Sequence, residues 1–141
     1  MRLEGKIAVI VGAGQSPGEG IGNGRATVLR FAQEGALILA VDRDLASAQE
    51  TAALAAREGG ECVAWMADVT REATLAAAMA EAVRRWGRID ILHNNVGVSI
   101  AGGDKPLDEL TEEAFDRVCA INLRLRALLA ALLIIMRQEA P

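Results

Sequence analysis

Gly12-Ala13-Gly14-Gln15-Ser16-Pro17-Gly18-Glu19-Gly20-Ile21-Gly22-Asn23-Gly24 is the stretch on which the fold turns. Six of its thirteen residues are glycine. It joins a short apolar segment, Ile7-Ala8-Val9-Ile10-Val11, to a pattern that reads as a helix from Asn23 to Glu34. Glycine lets the backbone approach a ligand closely, and the first amides of a helix are unpaired and carry the positive end of its dipole. Strand, glycine-rich turn and helix in that order suit a pyrophosphate. A flexible surface loop is the simpler alternative, and glycine density alone does not separate the two. The position straight after the first strand favours the phosphate.

The same design recurs downstream. Leu37-Ile38-Leu39-Ala40-Val41 ends at Asp42, Cys62-Val63-Ala64-Trp65-Met66 ends near Asp68, and Ile89-Asp90-Ile91-Leu92-His93 ends at Asn94. These ends are 26 residues apart each time, room for one strand, one helix and two short connections. Between them lie helical patterns over Leu45 to Glu58 and Arg71 to Trp86, the second with Leu75, Met79, Ala82, Val83 and Trp86 at helical spacing. Gly35, Gly59-Gly60 and Gly87 supply C-terminal stops. A loop with Gly102, Gly103 and Pro106 precedes a last long helix from Thr111, where Thr111-Glu112-Glu113 places a cap and two carboxylates at the positive helix end. Repeated strand–helix–strand units require a parallel sheet with helices on both faces. Residues 1–141 therefore read as one α/β domain, a doubly wound parallel sheet.

Composition narrows the function classes. The chain is 52% hydrophobic and 24% charged, which is globular. A net charge of −4 supplies no cationic field for a nucleic acid or an anionic membrane. One histidine, with Cys62 and Cys119 far apart, offers neither a metal site nor a disulfide framework. The two thiols are expected to pack as small apolar groups. Glu4 and Gly5 interrupt any signal-peptide core, and the longest apolar run, Ala127 to Met136, is ten residues. Spanning a bilayer takes roughly 20. A cytoplasmic protein without membrane contact is the expectation. There is no tyrosine, and the only lysines are Lys6 and Lys105.

Candidate ligand-binding residues stand at the strand ends. Asp42 follows Gly22 by 20 residues. A carboxylate there can accept both ribose hydroxyls of an adenosine and repel a 2′-phosphate, favouring NAD over NADP. Arg43 argues the other way, and a plain helix cap is the alternative, since Asp44 and Ser47 follow. Asp68 with Val69 stands where an adenine would lie; Asp68 could equally cap the next helix. Side-chain amides of Asn94-Asn95-Val96-Gly97 can tie neighbouring strand ends together, and Gly97 lets the chain turn close to a ribose. His93, the only imidazole, reads as a packed residue with its own hydrogen bond rather than a catalyst.

Taken in order, Gly5-Lys6-Ile7-Ala8-Val9, the glycine loop, Asp42, Asp68-Val69, Asn94-Asn95-Val96-Gly97 and Asn122-Leu123 resemble the short-chain dehydrogenases/reductases. The resemblance covers almost the whole chain and about the first half of a family enzyme. It implies a Rossmann-type sheet, cut to about four strands in the order 3-2-1-4, and cofactor contacts from Gly12, Gly14, Gly20, Ile21, Gly22, Asp42, Arg43, Asp68, Val69, Asn94, Val96 and Gly97. Val11 stands where the family usually has threonine, Val96 where alanine is commoner, and the loop is longer than usual. Gly20, Ile21 and Gly22 are the residues expected at the phosphates.

The resemblance further implies hydride transfer between a nicotinamide and an alcohol or carbonyl carbon. In such enzymes a tyrosine is the acid/base, a lysine lowers its pKa, a serine polarises the carbonyl and a helical asparagine holds a water relay. Asn122 matches the asparagine; nothing here matches the other three. The expectation is a dinucleotide-binding half, inactive alone, that meets its alcohol or carbonyl substrate only when a C-terminal half completes it. Leu125, Leu128, Leu129, Leu132, Leu133, Ile134, Ile135 and Met136 give the last helix more apolar surface than one face needs. With an unpaired fourth-strand edge, they predict a homo-oligomer through that helix. A non-catalytic partner-binding module and an S-adenosylmethionine-dependent methyltransferase-like domain are the alternatives; the asparagine motifs argue against the second.

Overall fold

The computed structural model describes residues 1–15, 18, 20–124, 129, 130 and 132. Strand β1 (Ile7–Val11) is buried at all five positions. On one side it pairs in parallel with β2 (Leu37–Asp42), and on the other with β4 (Ile91–Asn94). Strand β3 (Glu61–Met66) lies outside β2, so the order is β3-β2-β1-β4, as expected. The register sets Val11 opposite both Val41 and Asn94, which brings the ends of β2, β1 and β4 level.

Helices cover both faces. Alternate residues of β1 and β2 point to opposite sides, which is why both strands read as unbroken apolar runs. Ala8, Ile10, Ile38 and Ala40 pack with Val28 and Ala32 of α1 (Asn23–Gln33) and Ala55 of α2 (Leu45–Arg57). Val9, Val11, Leu39 and Val41 pack with Leu75, Met79 and Ala82 of α3 (Glu72–Trp86). Each fully buried Leu or Ile contributes about 1.5–3 kcal/mol relative to exposure. Gly87, at φ 82°, ends α3 in the left-handed conformation the sequence pattern implies.

Several boundaries differ from the sequence reading. β3 starts at Glu61 and stops at Met66, leaving Asp68 two residues past the strand. β4 starts at Ile91 because Asp90 turns its carboxylate back, Oδ2 accepting the Ile7 N–H at 2.9 Å. The last helix opens as α4 (Glu112–Cys119), capped by Thr111, whose Oγ1 accepts the Ala114 N–H at 3.2 Å. It then widens into a π-helical turn over Ala120–Arg124. Leu129 is fully buried and Leu132 packs beside it, both against the Val9 face of the core. Those two leucines therefore serve the chain's own interior. Leu125, Leu128, Leu133, Ile134, Ile135 and Met136 lie outside the described residues. Among the described residues no helix is long and apolar enough to cross a membrane.

Candidate nucleotide-binding site

In this strand order, β2 and β4 leave β1 on opposite sides. Ligands of open α/β sheets bind in the crevice at such a switch point, outside the carboxyl ends of the strands. The loops that follow β1, β2, β3 and β4 carry Gly12–Gly24, Asp42–Arg43, Asp68–Val69 and Asn94–Gly97, and all open on that edge.

The glycine loop begins with a sharp turn. Gly12, at φ 84°, and Ala13 both donate their N–H to Val41 O, at 2.8 and 3.0 Å. A Cβ on Gly12 would meet Val96 Cγ2 at 2.8 Å, and one on Gly24 would overlap the Gly12 carbonyl oxygen. These two glycines let the loop, helix α1 and the chain after β4 share one small volume. Gln15 spans the loop from inside: its Oε1 accepts the Gly22 N–H at 2.7 Å and its Nε2 donates to Gly20 O at 3.2 Å. Gly20 and Ile21 are exposed, Ile21 by 54%, which is unusual for its size. Ser16 lies outside the described residues.

Asp42 is not a helix cap. Asp44 caps α2, its carboxylate accepting the Ser47 N–H at 3.1 Å. The Asp42 carboxylate instead accepts the Gly14 N–H on Oδ2 at 2.8 Å and the Asp44 N–H on Oδ1 at 3.0 Å. It thus ties the glycine loop to the end of β2 and keeps further lone pairs for an incoming hydroxyl. Beneath it, the buried Arg25 of α1 donates to Thr51 Oγ1 at 3.0 Å and to Glu50 Oε2 at 2.6 Å, while the Thr51 hydroxyl donates to Ala13 O at 2.9 Å. The Gln15 N–H is likewise held by Ser47 Oγ at 2.7 Å. Sequence reasoning missed Gln15, Arg25, Ser47 and Thr51, since no local pattern says which side chains of two helices meet a loop.

Asp68 is exposed and closes a turn: Oδ1 accepts the Thr70 N–H at 2.9 Å and the Thr70 hydroxyl at 2.7 Å. Those two bonds hold its carboxyl below the ordinary carboxylate range, against a small effect of burial and with help from the Arg71 and Arg43 cations. Residue Arg71, not Asp68, occupies the N-cap of α3. Val69 is half-buried against the core.

Of the two asparagines at the end of β4, Asn95 makes the inter-strand tie, its Nδ2 donating to Gly12 O at 3.1 Å. Asn94, which the sequence pattern singles out, has its buried Oδ1 without a partner among the described residues, and so does His93 at Nε2. The hydrogen bond expected for His93 is thus missing at that nitrogen. A buried, unpartnered carbonyl oxygen at this edge suits a ligand hydroxyl or N–H that donates a hydrogen bond. Asn122 sits in the π-helical turn and grips one residue from both sides: Oδ1 accepts the Val98 N–H at 2.8 Å and Nδ2 donates to Val98 O at 2.7 Å. Single π turns of this kind often mark functional positions. Away from the edge, burial pushes the Cys62 thiol up to about 12, against a weaker opposing bond from Ala40, so it is inert.

The exposed glycine-loop backbone, the acceptors on Asp42 and Asp68 and the open Asn94 oxygen fit an adenine dinucleotide. The family model for short chain dehydrogenases matches residues 6–138. A sorbitol dehydrogenase from Cereibacter sphaeroides is 38% identical over 123 residues, 87% of this chain and 43% of that protein. A Burkholderia xenovorans structure assigned to the short-chain dehydrogenases/reductases has 39% identity and a TM-score of 0.89 over 98% of this chain and 51% of its own. A 3-ketoacyl-(acyl-carrier-protein) reductase from Brucella melitensis, complexed with NADH, has 36% identity and a TM-score of 0.81 over 97% of this chain and 52% of its own. The chain thus spans about half the length of the relatives it matches. Its fold, the order of its loops and these likenesses agree: it belongs to the short-chain dehydrogenases/reductases.

Proposed function

We propose that this chain binds the adenosine and pyrophosphate of NAD, as the dinucleotide-binding half of an oxidoreductase that interconverts an alcohol and a carbonyl. The observation that carries the reading is the convergence of Gly12–Gly22, Asp42, Asp68 and Asn94–Gly97 on one edge of the sheet. Gly12 and Gly14 give the close backbone approach; Gly20, Ile21 and Gly22 present main-chain amides at the positive end of α1. Asp42 accepts from the ribose hydroxyls. Asp68 and the Val69 amide address the adenine, and Asn94, Val96 and Gly97 line the second ribose. When bound, the nicotinamide supplies the hydride acceptor; the residues here orient it and exchange no proton.

Asp42 favours NAD, since a 2′-phosphate would face its carboxylate. Arg43 moderates that preference, and the similar structures include both an NADH and an NADP complex. The 141 residues contain no tyrosine, Lys105 pairs with Glu109 at 3.9 Å in an exposed loop, and Asn122 spends both amide groups on Val98. Proton transfer has no phenol to use here, so the chain alone should bind without turnover. Asn122 stands at the relay position that the resemblance implies, and its bonds to Val98 make it a positioning residue for the chain after Gly97.

Calorimetric titration of the purified chain with NAD+, NADP+ and S-adenosylmethionine tests the reading. NAD+ should bind more tightly than NADP+, and S-adenosylmethionine should not compete. Preferential binding of S-adenosylmethionine would replace the oxidoreductase reading with a methyltransferase-like one.

A further inference from the structure

The loop that should receive a pyrophosphate already holds an acceptor. Gln15 Oε1 takes the Gly22 N–H at 2.7 Å, and Gln15 Nε2 donates to Gly20 O at 3.2 Å. Gly22 is the N-cap residue of α1, and its own conformation offers no side-chain cap. Its N–H is therefore among the donors that an anion at this helix end would use. The backbone of Gln15 is anchored separately, its N–H on Ser47 Oγ at 2.7 Å. That main-chain anchor is thus independent of the side-chain bonds to Gly20 and Gly22.

We propose that Gln15 is an internal stand-in for phosphate. In the free protein its carboxamide occupies the Gly22 N–H and bonds Gly20 O, and a dinucleotide gains that N–H only by displacing it. This rests on the proposed dinucleotide reading and adds a residue that sets the affinity of that site. A carboxamide oxygen and a phosphate oxygen are both hydrogen-bond acceptors of similar reach. The phosphate carries charge, so its bond to the amide is the stronger one, and the dipole of α1 adds to the preference. The exchange is favourable, yet the apparent affinity is the intrinsic one multiplied by the fraction of molecules in which Gln15 has let go. Neutral hydrogen bonds of this kind are individually modest, so releasing the stand-in should tighten binding by about three- to tenfold.

The test compares the full chain with Gln15→Ala and with Gln15→Met, which keeps the length of the side chain but neither donor nor acceptor. NAD+ affinity is measured by calorimetry, and amide hydrogen exchange is followed at Gly22 without ligand. Both variants should bind NAD+ three- to tenfold more tightly, and their Gly22 amide should exchange faster than in the wild type. Equal or weaker NAD+ binding by the variants overturns the stand-in role and leaves the dinucleotide reading untouched. Unchanged exchange at Gly22 overturns it as well. Failure of all three proteins to bind NAD+ removes the dinucleotide reading, and this role with it.

Discussion

Asp42 shows how much one carboxylate does at this edge. Its two oxygens take the amides of Gly14 and Asp44, at 2.8 and 3.0 Å, before any ligand arrives. Asp42→Ala should weaken NAD+ binding at least about tenfold, because it removes the proposed ribose acceptor and the tie to the loop together. Parallel titrations with NAD+ and NADP+ would check this, with NADP+ losing less. Gly24 illustrates the opposite constraint, an atom that must be absent. Gly24→Val would drive a branched side chain into the Gly12 carbonyl and the Asn95 amide, at a cost of at least about 2 kcal/mol. A shift of the urea midpoint at constant slope would register it.

Among the elements, α3 carries the clearest pH signature. Its Glu81 lies against Arg84 and Arg85, at 2.7 and 2.6 Å. The Arg84 bond, opposed in part by burial and reinforced by Arg85, lowers the carboxyl from 4.5 to about 2. A carboxyl lowered on folding contributes fully above its unfolded value, and that contribution disappears as the pH falls through the folded one. Stability should therefore decline between pH 4.5 and about 2, and Glu81→Gln should flatten that decline. Urea titrations across the range measure it; salt should shrink the difference, since both arginines are partly solvent-exposed. The π-helical turn after α4 makes a second prediction. Asn122→Ala leaves the Val98 N–H and carbonyl unpaired, which should cost about 1–3 kcal/mol and speed amide exchange at Val98.

For the whole molecule, the sheet is the unit that assembles the site. β4 pairs only with β1 among the described residues, so its outer edge offers unpaired backbone groups. Phe115 and Leu123, near or within the last helical segment, are 55% and 69% exposed. Both features support self-association, and sedimentation should show species larger than a monomer at micromolar concentration. A strict monomer across that range would count against it. With NAD+ and a panel of alcohols, the chain alone should produce no NADH.

The sequence by itself determined the alternation of strands and helices and the candidate loops at the strand ends, and its resemblance to the family implied the strand order. Short apolar runs closed by turn residues, such as Ile7–Val11 before Gly12, read as strands buried on both faces, and glycines, acids and asparagines at their ends carry their chemistry locally. Even Thr111 as a cap and Gly87 as a stop were legible, because capping depends on neighbours in the chain. Only the tertiary structure decided which donors and acceptors meet. Asp42 reaching Gly14, Asn95 reaching Gly12 O, Asn122 reaching Val98 and Arg25 sitting beneath the loop all join residues from different elements. Such pairings depend on side-chain direction and on the distance between packed helices and strands. Residue spacing along one chain does not encode those quantities, and folding the sheet is what sets them.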